Sequence, residues 1–341
     1  MVDIKNDWYP WLKYPYQQII KQYHIGRGHH ALLLFAPDGL GIEFLLWKIS
    51  CLLMCSFTTN LHNCGQCHNC QLMYSMNHPD LYVLDILKKG SSTLGIEDFR
   101  EISDNFYQKA KLGTAKIIWI LKPEKMTEAA INALLKIVED PPKKTWFFLY
   151  SLDKNLISII LRSRCQVWKI VPPTEIEGLK WLKTNNDLNT LPTITLIAAL
   201  RLSYGAPLAA LNLLISPEWQ NRNKIYDEII NNLFKLEVTK VLPLINNENV
   251  AKQIEWLCTL LVDALKCKYS SNKQHIINID YYNLVKKLAD YISTENLLIG
   301  FRQWCICRDR ILRITSISRE LLLIKQLIIW NQLIKLNINS R

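Results

Sequence analysis

The sequence predicts an α/β half followed by an all-α half, and three observations carry that prediction. Through residue 170, short apolar runs alternate with helical patterns. Pro172-Pro173 then breaks the chain, and from Thr174 onward the periodicity is almost wholly helical. Ala31–Phe35, Leu81–Leu84, Lys116–Leu121, Trp146–Ser151 and Gln166–Ile170 read as strands, with helical patterns at Ile42–Met54, Ile96–Lys109 and Thr127–Val138. Thr127 is a suitable N-cap, and the last of these helices ends at Glu139-Asp140 because Pro141-Pro142 cannot continue it. Strand–helix alternation implies a parallel sheet covered on both faces. In the second half, Thr193–Tyr204, Ala251–Lys266, Tyr281–Ile292 and Thr294–Ile314 carry helical periodicity. The final segment, Arg319–Leu336, is apolar around most of its circumference, so burial on several sides is expected.

At roughly 100–200 residues per domain, 341 residues make two or three domains. Hydrophobic residues at 49%, charged residues at 21%, 11 Gly and 13 Pro exclude disordered, collagen-like and low-complexity classes. No apolar run reaches the ~18 residues of a membrane span. The start, Met-Val-Asp-Ile-Lys-Asn-Asp, lacks a positive-then-apolar signal pattern. A soluble cytoplasmic protein with no membrane role is expected. The net charge of +11 is divided evenly between the halves. Such a spread favours weak attraction to polyanions without locating a nucleic-acid site, and the abundance of Ile, Asn and Lys explains it equally well.

After the first strand the chain reads Ala36-Pro37-Asp38-Gly39-Leu40-Gly41-Ile42-Glu43. A strand, a glycine loop and a helix N-terminus together form a phosphate cradle in nucleotide-binding folds, whose working motif is G-x-x-x-x-G-K-[ST]. Here Ala36 replaces the first glycine, Ile42 the lysine and Glu43 the magnesium-binding hydroxyl; only Gly39 and Gly41 keep the loop's character. The third strand, where an acidic pair is needed to hold magnesium, ends instead in Leu121-Lys122-Pro123. A nucleotide fold without hydrolysis is one reading, and an ordinary βα turn is the other.

Ten cysteines in a chain of this class are expected to be reduced thiols. Four of them, Cys55, Cys64, Cys67 and Cys70, are spaced x8, x2 and x2. Four thiolates suit tetrahedral zinc in a closed, structural site, and Gly65 eases the tight turn. An iron–sulfur run continues x3-C-P, whereas Tyr74 stands at that position. His62 and His68 rank below the thiols as ligands, and Cys51 ranks below Cys55. Near the fifth strand lies Leu161-Arg162-Ser163-Arg164-Cys165. An arginine pair is usually solvated surface, but a guanidinium can also reach across an interface to a transferring phosphoryl group.

Several stretches together carry a resemblance: WYPWL (Trp8–Leu12), GRGHHALL (Gly26–Leu33), CGQCHNCQLM (Cys64–Met73), HPD (His78–Asp80), NALLK (Asn132–Lys136), DPP (Asp140–Pro142), WFFL (Trp146–Leu149), LRSRC (Leu161–Cys165) and RELL (Arg319–Leu322). The chain resembles the delta-prime family of bacterial DNA polymerase III clamp-loader subunits, nearly end to end. That resemblance implies an AAA+ fold in three parts. They are an α/β domain with a degenerate phosphate loop and a zinc insertion over 1–170, a small helical lid over 171–209, and a helical collar domain over 210–341. It implies a ring with gamma/tau and delta subunits and the other polymerase III holoenzyme components, acting on the sliding clamp and primed DNA in DNA replication. It implies a stator without ATPase activity of its own, in a DNA-directed DNA polymerase assembly. Within Ser163-Arg164-Cys165, Arg164 would be lent to a neighbour's ATP site, and Cys55, Cys64, Cys67 and Cys70 would hold structural zinc. In the ATPase relatives a lid arginine follows a glycine–serine pair; here the stretch is Gly205-Ala206-Pro207-Leu208, with Leu208 at the arginine's place. Asp140 stands where relatives usually carry Glu. No ATP is expected in this chain's own pocket. Two rival readings are an active ATPase subunit of the same ring and a stand-alone zinc-dependent nucleic-acid-binding module.

Overall fold

The computed structural model describes residues 8–58, 61–85, 93–112, 115–232, 238–269, 272–314 and 318–338. These fall into two compact units, 1–173 and 174–341.

In the first unit the order is α1 (Pro10–His24), β1 (Ala31–Phe35), α2 (Ile42–Met54), α3 (His68–Tyr74), β2 (Leu81–Asp85), α4 (Ile96–Tyr107), β3 (Lys116–Leu121), α5 (Glu128–Glu139), β4 (Thr145–Ser151), α6 (Ile159–Ser163) and β5 (Gln166–Lys169). Among the described residues the five strands form one parallel sheet, ordered β2-β3-β4-β1-β5. Side chains alternate across it, as the period of a strand requires. Leu33, Ile118, Ile120, Phe147 and Leu149 pack with Phe99 and Phe106 of α4 and with Ala130, Leu134 and Val138 of α5. On the opposite face Trp119 donates its indole N–H to Ser50 Oγ of α2 at 3.0 Å. The strands expected from the sequence are all present. Thr127 caps α5, its Oγ1 accepting the Ala130 N–H at 3.3 Å.

The HPD stretch has a structural role. Asp80 is fully buried and accepts the N–H groups of Lys111 at 2.7 Å and Leu112 at 3.0 Å. Nearby, the buried Lys116 Nζ donates to the carbonyls of Asn105, Phe106 and Gln108. Asn105 and Phe106 lie in the last turn of α4 and Gln108 just beyond it, so a side chain satisfies these carbonyls and the helix stops at Tyr107 rather than Lys109. Asp80→Ala would remove the acceptor of two backbone amides and leave a cavity at a fully buried position. It is expected to destabilise the α/β unit by about 3 kcal/mol. A denaturation midpoint matching the parent chain would contradict this.

The second unit contains α7 (Glu175–Leu182), α8 (Thr193–Leu202), α9 (Pro207–Ile215), α10 (Pro217–Asn232), α11 (Leu242–Ile245), α12 (Val250–Tyr269), α13 (Tyr282–Tyr291), α14 (Thr294–Arg313) and α15 (Arg319–Ile338). A capping box starts α7: Thr174 Oγ1 accepts the Glu177 N–H, and Glu177 Oε2 accepts the Thr174 N–H. Arg201 of α8 pairs with Glu175 at 2.7 Å and donates to the carbonyls of Lys273 and Ile276, tying these helices to the segment after α12. The Arg222 side chain is completely buried. It makes a bidentate pair with Asp280 (2.7 and 3.0 Å), donates to Asn278 Oδ1 and lies 4.5 Å from the centroids of Trp219 and Tyr226.

Helix α15 departs from expectation. It buries one face, Leu323, Leu327, Trp330 and Ile334, with Trp330 edge-on to Trp304 of α14. Leu321 (68% exposed) and Ile328 (46%) face outward, as do Leu298 and Ile306 of α14. Its apolar circumference exceeds what the described residues cover. Among the described residues no single helix is long and apolar enough to cross a membrane.

Candidate functional site

The glycine loop sits where the C-terminal ends of β1, β4 and β3 converge, with Leu34 and Leu121 both in register with Tyr150. Ligands of open α/β sheets bind at such strand ends. Gly39 (φ 83°) and Gly41 (φ 78°) take the left-handed conformation that brings the chain into α2. Two of the loop's acceptors are engaged by its own chain. Trp11 donates its indole N–H to the Leu40 carbonyl at 2.9 Å, and the Tyr150 hydroxyl donates to Asp38 Oδ1 at 3.1 Å. Ile42 is 2% exposed, so the residue at the lysine's position packs into the core instead of pointing along the loop. Burial pushes the Tyr150 phenol well above its ordinary range, and the carboxylates of Asp38, Glu43 and Glu124 push it further. Three carboxylates near one phenol add negative charge beside a loop that would have to receive a polyphosphate. At an effective dielectric of 20, each like-charge pair 4 Å apart costs about 4 kcal/mol. Ala36 is buried and Glu43 lies exposed in the first turn of α2.

The four cysteines converge. Cys55 is the C-cap of α2, Cys64 precedes the left-handed Gly65 (φ 73°), Cys67 is the N-cap of α3 and Cys70 lies in its first turn. All four Sγ atoms lie within 4.8 Å of one another. Cys55–Cys67 and Cys64–Cys70 are each 3.9 Å apart. Four sulfurs at 2.3 Å from a tetrahedral centre are spaced by about 3.8 Å, so the set fits zinc. The thiolates also have donors: Phe57 and Cys64 N–H to Cys55 Sγ, Cys67 N–H to Cys64 Sγ, and Asn63 Nδ2 to Cys70 Sγ. The amides of Gln66 and Cys67 draw the Cys64 thiol below its ordinary range. Burial opposes ionisation of Cys67, yet N–H bonds from Ser56 and Cys70 bring it down to about 6. Burial pushes Cys70 up to about 12 without a cation beside it. Cys51, His62 and His68 lie outside this group. Trp47 Nε1 donates to the Met73 carbonyl, Asn69 Nδ2 to the Met54 carbonyl and Tyr16 to the Leu61 carbonyl; together they pin the module to α2 and α1.

Residues 163–165 separate by environment. Cys165 packs against the sheet core, and burial raises its thiol to about 12. Ser163 Oγ donates to the Ile160 carbonyl at 2.7 Å, within its own helix. Arg164 is the C-cap of α6, 55% exposed, with Nε 3.0 Å from Oε1 of Glu139. Leu208 lies in the first turn of α9, after the left-handed Gly205. Sequence reasoning did not find Trp11, Tyr150, Asp38 or Glu139 as contributors to these sites, since each acts through a contact distant in the chain.

Comparison with known proteins gives a consistent picture. Residues 12–174 match the family described as "DNA polymerase III, delta subunit", and residues 216–332 match "DNA polymerase III, delta subunit, C terminal". Residues 173–214 match "DNA polymerase III subunit delta', AAA+ ATPase lid domain". The DNA polymerase III subunit delta' of Yersinia pestis is 39% identical over 326 residues, covering 95% of each chain. That of Escherichia coli K12 is 37% identical over 316 residues, covering 93% of each. Among solved structures, a DNA polymerase III gamma subunit-related protein of Thermotoga maritima aligns with a TM-score of 0.46 and 17% identity, over 95% of this chain and 99% of that one.

Proposed function

The chain belongs to the DNA polymerase III delta-prime family, and from that premise we propose that it is the non-hydrolysing stator of a clamp-loader ring. The observation that carries this reading is the altered loop. Ile42 is buried at the lysine's position, Trp11 and Tyr150 engage the Leu40 carbonyl and the Asp38 carboxylate, and the carboxylates of Asp38, Glu43 and Glu124 act on Tyr150 beside the loop. A subunit so built contributes geometry and one charge. Arg164, exposed at the end of α6, reaches the ATP site of a neighbouring gamma/tau subunit and meets charge developing on the γ-phosphate. Nucleotide bound next door then favours the ring arrangement that opens the sliding clamp for primed DNA.

In this reading 1–170 is the AAA+ domain, 171–209 the lid and 210–341 the collar, with delta as a further partner. The exposed aliphatic side chains of α14 and α15 supply the apolar surface a collar needs. Zinc on Cys55, Cys64, Cys67 and Cys70 is structural, since four thiolates leave no open position.

The test has two arms. The isolated chain, titrated with MgATP in a calorimeter, is expected to show neither binding nor turnover. Mixed with gamma/tau and delta subunits, it is expected to form a stable complex and to be required for clamp loading. Tight MgATP binding by the lone chain would restore the active-subunit alternative.

A further inference from the structure

We propose that Glu139 is a positioning residue for the arginine finger, aiming the Arg164 guanidinium at the neighbouring nucleotide; this rests on the stator reading above. Glu139 is the last residue of α5, with Asp140 as its C-cap. A helix C-terminus carries partial negative charge, so a carboxylate there is locally unfavourable by about 0.3–1 kcal/mol and a lysine or arginine would suit it better. A residue that breaks the local rule needs a compensating partner, and that partner is Arg164, whose Nε lies 3.0 Å from Oε1. Both side chains are about half exposed, 55% and 48%. An exposed pair contributes at most about 1 kcal/mol to stability, so removing it leaves the fold intact.

The geometry favours aiming over blocking. A guanidinium has a side edge at Nε and an end-on fork formed by its two Nη atoms. The atom of Arg164 nearest Glu139 is Nε, an ion-pair contact without a hydrogen bond along that N–H. The fork is the edge a phosphoryl group takes. Glu139 is itself held in place. The buried face of α5, Ala130, Leu134, Leu135, Ile137 and Val138, packs on the sheet, and His30 Nε2 bonds the Val138 carbonyl at 2.7 Å. A carbonyl only accepts, so this nitrogen carries the proton. Burial lowers the pKa of His30, partly opposed by that bond. The GRGHH stretch before β1 thus fixes the end of α5, and the end of α5 fixes the finger.

The test uses the assembled complex and reads the component of ATP turnover that Arg164→Ala removes. Glu139→Ala is expected to lower that component about threefold through kcat, with KM for ATP unchanged. Glu139→Gln, which keeps the length and one oxygen, is expected to recover about half of the loss. In the Arg164→Ala background, Glu139→Ala is expected to have no further effect. Full activity of Glu139→Ala alongside an impaired Arg164→Ala overturns the inference and leaves the stator reading standing. A faster Glu139→Ala complex overturns it as well, because the pair would then be a restraint. An equal loss in the Arg164→Ala background places Glu139 elsewhere and also defeats it. If Arg164→Ala itself has no effect, the finger reading falls and takes the inference with it.

Discussion

Arg164→Ala is expected to cut turnover at the neighbouring ATP site by about 10³-fold or more while leaving the complex assembled. The first half of that expectation follows from charge. An arginine donated in trans neutralises negative charge that develops only in the transition state, so its removal lowers kcat rather than nucleotide affinity. The second half follows from exposure. Arg164 is a half-exposed C-cap whose partner, Glu139, is equally exposed, so truncation disturbs no core packing. Arg164→Lys separates charge from shape: it keeps the cation and loses the planar fork, and an intermediate rate is expected. The flanking residues give the contrast. Cys165→Ala removes a core sulfur and is expected to lower stability without a specific kcat loss, because Cys165 packs against the sheet. The measurement is single-turnover hydrolysis by the reconstituted complex, with gel filtration to verify assembly. Because other sites in a ring turn over independently of Arg164, bulk steady-state rates fall by less than the site-specific figure. Unchanged single-turnover kinetics at every site would end the finger reading.

Much of the architecture was open to reading because its signals are local. The five strands are apolar runs bounded by turns, and α2 spans the residues its periodicity picks out, Ile42–Met54. Helix α1 was hidden by Pro10 and Pro15. Pro10 suits a first turn, and the apolar row Leu12, Tyr16, Ile19 and Ile20 holds the helix through Pro15 by burial. Helix α3 was hidden because its N-cap is a sulfur, Cys67 Sγ accepting the Cys70 N–H. The outward apolar row of α15 was misjudged because periodicity reports a side chain's polarity, and what covers it is decided by tertiary packing or by partners. The sites divide the same way. Ile42, Glu43 and the cysteine spacing are contiguous signals. The groups that close the loop and hold the finger act over long separations: Trp11 to Leu40, Tyr150 to Asp38, His30 to Val138. A single sequence carries no mark of such pairs.

Stripping the metal is expected to release one zinc per chain and to unravel residues 55–74, with a stability loss of several kcal/mol. Zinc-finger peptides gain about 10–16 kcal/mol from their ion at pH 7, and that gain is folding energy where no site exists without it. Here the loss is smaller because the module is partly preformed. Trp47, Asn69 and Tyr16 hold it through hydrogen bonds to the carbonyls of Met73, Met54 and Leu61, and Met73 and Cys70 are buried. The sheet core lies apart from these contacts, so the α/β unit is expected to keep its strands while hydrogen exchange rises across the module. Cobalt is the diagnostic substitute: a tetrahedral four-thiolate site gives intense visible absorption and sulfur-to-metal charge transfer, and Cys67→Ser weakens both. The pH dependence has a definite sign. The ion stabilises thiolates, so it holds the bound-state thiol pKa values below those of the free thiols. The stabilisation is therefore present at neutral pH and lost as the pH falls through the bound-state values, with protons displacing zinc. Mass spectrometry under native conditions, followed from pH 7 downward, reads this directly. A chain that carries no zinc when purified from metal-replete cells, or that exchanges no faster after chelation, would show that the four sulfurs are packing and not a metal centre.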